Sequence, residues 1–268
     1  MRTFYEIVDR AFLNLILNDR AWQEFERQPF ETPSKKKRQE SVKKLRDVFY
    51  SRNMESVATE IEKKMIDTDI NGGFDKATAV RMVHYYPSIP VLLWSVGLHT
   101  FPKYDGEFTG DFHPFFAEKE YRTENNTLVP AGNEPTLEQI EFALEITMLW
   151  HWRTIEGTNN PHIVKNPVDK TIIKIFGKDY RKYFEKPPQN FLTSLFSLPN
   201  NATPEDSNVI PKIPLTKSPY VDFAVNGTPY NELDSSIARN LSTSAQERHR
   251  ALEWVIGEED WQNTAMDT

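Results

Sequence analysis

The chain has 268 residues, 38% of them hydrophobic and 26% charged, enough apolar surface for one large core or two modest ones. Its 12% aromatic content excludes a disordered chain, and the absence of cysteine excludes disulfides, thiolate nucleophiles and cysteine-ligated metals. A formal net charge of −7 disfavours duplex nucleic acid and suits a basic protein partner.

The N-terminus meets Glu6 and Asp9 before any apolar run reaches the length of a signal peptide. No stretch approaches the roughly 18 apolar residues of a membrane span. The longest candidate, Ile89 to Leu98, contains Pro90 and Gly97. A cytoplasmic chain with no membrane contact is expected.

Phe4, Ile7, Val8, Ala11, Phe12, Leu15 and Ile16 mark one face of an opening helix. Asn18 or Asp19 then offers a cap for a second short helix carrying Trp22 and Phe25. From Lys35 to Arg46 the local charge is +6, which leaves −13 elsewhere, and Val42, Leu45, Val48 and Phe49 keep helical spacing beneath it. This run reads either as a solvated helix face or as a nuclear-localisation or nucleic-acid segment.

A helix is predicted from about Lys76 to Tyr86, and Pro90 suits the first turn of the next one. Phe101 to Gly132, rich in aromatics, Gly and Pro without a period, reads as mostly loop, either a lid or a binding surface. Thr136-Leu137-Glu138-Gln139 is a capping-box pattern opening a helix that is apolar on more than one face, with Gly157 as its stop. Short helices are expected at 172–176, 180–184 and 191–198, followed by a proline-rich linker at 199–219. Val221 to Val225 alternates at period two ahead of Asn226-Gly227, a hairpin signal. A last helix spans about Ser235 to Ile256 and ends at Gly257. The fold class expected is mainly α: a single multi-helix globular domain with one small β-hairpin near the C-terminus.

The run Glu247-Arg248-His249-Arg250-Ala251-Leu252-Glu253-Trp254, with Asp260-Trp261 and the ending Met266-Asp267-Thr268, resembles the C-terminal signature of DUF4272 proteins, a family with no assigned function. Asp222 to Leu233, Leu149 to Arg153, and Leu92 to Leu98 are similar to further segments of that family. The resemblance implies a helical domain over 75–268, preceded by an N-terminal helical extension over 1–74 that carries the basic run. It supplies no activity.

None of the six histidines falls in an H-x-x-x-H or H-E-x-x-H pattern, so no metal and no cofactor is expected. Asp111-Phe112-His113 is a short pattern able to offer two ligands. There is no phosphate-binding glycine loop and no G-x-S-x-G elbow. The sharpest features are Trp152 and Arg153 on one helix and Arg248, His249, Arg250 and Trp254 on another.

Two readings of these six follow. In one, the arginines hold an anion or nucleotide between the helices, and Arg250 lies across the indole of Trp254. In the other, the tryptophans fill the core and the arginines pair with Glu145, Glu156 or Glu253. The functional expectation is a non-enzymatic protein-interaction module, for example one that neutralises a basic toxin. The alternative is a hydrolase acting on a phosphorylated or nucleotide-like substrate, with His151 or His249 moving the proton.

Overall fold

The computed structural model describes residues 1–25, 33–70, 75–104, 111–118, 134–159, 180–185, 209–215, 222–257 and 259–264. It is mainly helical, with a single two-stranded sheet among the described residues. Helix α1 (Phe4–Trp22) starts at a capping box. The Thr3 hydroxyl accepts from the Glu6 amide at 3.3 Å, and the Glu6 carboxylate takes the Thr3 amide at 2.8 Å.

The break expected at Asn18 or Asp19 does not occur. Asn18 donates its Nδ2–H to the Val83 carbonyl at 2.7 Å, Asp19 turns a carboxylate oxygen to His113, and α1 continues to Trp22. Tertiary contacts here override a local capping preference.

Helix α2 (Lys35–Ser51) carries the basic run and is capped by Ser34. Its cations divide into two sets. Arg38 is buried and donates to the Gln23 carbonyl at 2.9 Å, while Arg46 donates to the carbonyls of Ile66 and Asp67. Lys35, Lys36, Lys37, Lys43 and Lys44 are exposed.

Helices α3 (Glu60–Asp67), α4 (Lys76–Val83) and α5 (Ile89–Trp94) follow, with Asp75 capping α4 through the amides of Ala77 and Thr78. Pro90 lies in the first turn of α5, where its missing N–H is not needed. Within the stretch expected to be mostly loop, residues 113–118 form helix α6 (His113–Glu118); residues 105–110 and 119–133 lie outside the described set.

Helix α7 (Leu137–Asn159) begins as expected, with Thr136 and Gln139 capping each other's backbone amides. It passes through Gly157 rather than stopping there. The helices expected at 172–176 and 191–198 fall outside the described residues, and a short 3₁₀ turn occupies 180–183.

Strands β1 (Ala224–Val225) and β2 (Thr228–Pro229) pair antiparallel, Ala224 with Pro229 and Val225 with Thr228. Asn226 and Gly227 both take positive φ, 50° and 81°, the requirement of a type I′ turn. Helix α8 (Ser235–Ile256) is capped by Asp234 and ends before Gly257.

One apolar core joins these pieces. Helix α1 packs on α4 and α5, and α7 packs along α8 in the most extensive helix pair described. Side chains of α1, including Val8, Leu13 and Leu17, share that core with Leu92 and Trp94 of α5, Trp150 of α7 and Val255 of α8. The first helix is therefore built into the same interior as the segments after residue 75. No helix among the described residues is long and apolar enough to cross a membrane.

Candidate functional site

The residues singled out by the sequence lie on α7 and α8, and all but Trp152 are buried. Burying a guanidinium or imidazole is costly unless its hydrogen bonds are met, so their partners decide what they can do.

Arg153 forms a fork on Asp222. Its Nε lies 2.6 Å from Oδ1 and its Nη2 lies 2.7 Å from Oδ2. The same carboxylate accepts from the amides of Phe223 and Asn231, at 2.7 and 3.1 Å, and both side chains of the pair are almost wholly shielded. The guanidinium also sits 4.8 Å over the ring of Tyr230. This constellation latches α7 to the hairpin.

Arg248, 1% exposed, donates to the Lys103 carbonyl at 2.8 Å and lies near the ring of Tyr104. Arg153 is held by Asp222 rather than by Glu145, Glu156 or Glu253. Glu145 meets Lys182 instead.

His151 and His249 face each other with their Nδ1 atoms 2.9 Å apart, and His249 is fully buried. Burial, reinforced by His249 and Arg250, pushes the His151 imidazole down to about 4. The Nε2 of His249 lies 3.5 Å from Glu253.

Trp254 is buried edge-to-face against Trp261, and the guanidinium over its ring belongs to Arg2, at 4.9 Å. Arg250 does not stack on Trp254 as the four-residue spacing suggested. It lies nearer Tyr85, 5.9 Å from the ring. Trp152 is half-buried at the edge of the core.

Of the six candidates, Arg250 alone lines the open cleft formed by α4 and α8. This cleft has a volume of about 640 Å³ and is bounded by Lys76, Ala77, Val80, Arg81 and His84 on α4 and by Gln246, Glu247 and Arg250 on α8. The spacing explains the lining. Positions 76, 77, 80, 81 and 84 share one face of a helix, as do 246, 247 and 250.

Glu247 and Arg250 form its floor, with Arg250 Nη1 2.8 Å from both carboxylate oxygens. Burial pushes the Glu247 carboxyl up to about 7, although Arg250, Arg81 and Arg10 all pull it down. Desolvation therefore outweighs the pairing. Burial also lowers the His84 imidazole below its ordinary value. At neutral pH the cleft sets Lys76, Arg81 and Arg250 against one partly ionised carboxyl.

No group of three or more His, Asp or Glu side chains among the described residues is arranged to hold a metal ion. His113 has carboxylates at both ring nitrogens, Asp19 at 2.8 Å and Asp111 at 2.6 Å. Asp19 above all, with Asp111 adding to it, pushes this imidazole up to about 9. It acts as a cation joining α6 to α1, since a protonated ring has no lone pair for a metal.

Reading the sequence missed Lys76, Arg81, His84, Glu247 and Asp222. Asp222 left a trace, as the one carboxylate within the alternating run Val221 to Val225. Glu247 stands three residues before Arg250 on a helix face, a spacing that invites an ion pair. No family model matches the chain, and no curated protein or solved structure shows significant similarity to it.

Proposed function

We propose that this chain is a non-enzymatic protein-interaction module that offers the α4–α8 cleft to its partner; neutralising a toxin-like protein is one concrete form of the role. The observation that carries this reading is the commitment of Arg153 and Arg248. Both guanidiniums are buried on internal acceptors, so an anion clamp built from them would have to break contacts of the fold itself. The facing imidazoles of His151 and His249 are likewise turned onto each other. Membership of DUF4272 and a cytoplasmic setting belong to the same proposal, resting on the Glu247 to Gly257 signature and the cysteine-free composition.

One observation favours a second reading. Glu247, its carboxyl pushed up to about 7, stands in an open cleft beside Arg81 and Arg250. An acid–base group next to anion holders is what hydrolysis of a phosphorylated or nucleotide-like substrate would use.

The two readings separate in one experiment with the purified full chain. A protein captured by cross-linking in the native host is reconstituted with it from purified components, and p-nitrophenyl phosphate and nucleoside triphosphates are assayed in parallel. The interaction reading expects a stable complex and no turnover. Turnover that disappears in Glu247→Gln, with the fold intact, would overturn it.

A further inference from the structure

We propose that the α4–α8 cleft receives an acidic segment of a protein partner, with Lys76 and Arg81 on its rim and Arg250 on its floor holding the partner's carboxylates. The inference rests on the interaction reading and supplies the chemistry of the partner, which must carry an acidic segment where the net charge of the chain alone suggested a basic one.

Charge is the first argument. The chain as a whole carries −7, yet this cleft is lined by three cations and one carboxyl. A concave surface of one sign concentrates ligands of the other and speeds their arrival.

Most other buried or half-buried arginines are already committed. Arg10, Arg20, Arg46 and Arg153 each reach a carboxylate within the fold. Lys76 and Arg81 are exposed and make no hydrogen bond or ion pair among the described residues. An incoming carboxylate supplies the partner that these two cations lack among the described residues.

Dimensions give another. From position 76 to 84 a helix rises about 12 Å, the reach of an extended segment of roughly three to four residues. Ala77 and Val80 lie between the cations, and Val80 is 40% exposed. They suit the aliphatic stems of glutamates or one apolar side chain between two acids. An open cleft of this shape accepts a chain crossing it, whereas an enclosed pocket would favour a small molecule.

The floor completes the site. Arg250 shares a single nitrogen with Glu247 and makes no other hydrogen bond among the described residues, so its guanidinium keeps donors for a second carboxylate.

Fluorescence anisotropy on the full chain tests the proposal. The probes are a labelled glutamate-rich peptide, a lysine-rich peptide of equal length, and inorganic phosphate as competitor. The glutamate peptide is expected to bind at low salt and to weaken several-fold as salt rises toward about 0.2 M, while the lysine peptide does not bind.

The Lys76→Glu/Arg81→Glu variant alters exposed side chains only. It is expected to keep the wild-type melting curve and to lose about tenfold or more in affinity. No binding at low salt, equal binding to this variant, or phosphate occupying the cleft as tightly as the peptide would each overturn the acidic-segment assignment. If a captured partner binds wild type and variant equally, the cleft assignment falls and the interaction reading stands. If no partner forms a complex and phosphate esters are turned over, the interaction reading itself falls.

Discussion

The Nδ1 atoms of His151 and His249 lie 2.9 Å apart across the buried layer between α7 and α8. At that distance one nitrogen must donate and the other accept, so the pair holds a single proton between the two facing atoms. Charging His151 would place a cation beside Arg250 in a site with little water.

Acid should therefore weaken the fold through this contact. His151 has an ordinary value of 6.5 and falls to about 4 in the folded chain. Its contribution is fully present above 6.5 and is lost as pH falls through about 4. Urea denaturation at pH 7 and pH 4.5 should show the wild type losing on the order of 2 kcal/mol more than His151→Gln over that interval. Parallel losses in both proteins would refute the assignment.

Glu247 works in the opposite direction. Its carboxyl rises from 4.5 to about 7, so its contribution is complete below 4.5 and declines as pH climbs through about 7. Glu247→Gln should improve relative to wild type by on the order of 2 kcal/mol between pH 5 and pH 8. Because the two windows overlap, their opposite slopes offset each other between about pH 4.5 and 6.5, and each variant should expose the slope of the other group.

The Arg153–Asp222 fork predicts a cost of a different kind. Asp222→Ala strands a buried guanidinium and should cost about 3–5 kcal/mol. Arg153→Ala strands the carboxylate at a similar cost. The double variant should lose clearly less than the two single losses added together, because neither charge is then left alone. Hydrogen exchange should speed up first around Phe223 and Asn231, whose amides bond Asp222.

Gly227 isolates backbone strain. Its φ is 81°, and an added Cβ would meet no atom within 4 Å. Gly227→Ala should therefore cost about 1–2 kcal/mol through conformation alone. Chemical denaturation showing no loss would contradict the type I′ assignment of the turn.

The elements with local signals were legible in the sequence. Thr136 and Gln139 announced α7, Asn226-Gly227 announced the hairpin, and the apolar spacing from Phe4 to Ile16 announced α1. What failed depended on partners distant in the chain. Asn18 and Asp19 offered a cap, but Asp19 turns its carboxylate to His113, 94 residues on, and Asn18 ties the helix to Val83. Arg153 had nearby glutamates to choose from but is held by Asp222, 69 residues away, because burial favours a carboxylate that the hairpin amides also support. The cleft left no motif, since its lining is two ordinary amphipathic faces whose meeting is fixed by tertiary packing.

The melting temperature of Arg153→Lys, read beside its affinity for the glutamate peptide, addresses the central claim most directly. Lysine cannot reproduce the fork on Asp222. A structural latch therefore predicts a melting point lower by about 5–10 °C, with peptide affinity unchanged in the folded protein. An unchanged melting point together with lost ligand binding would mean that Arg153 itself belongs to the binding site.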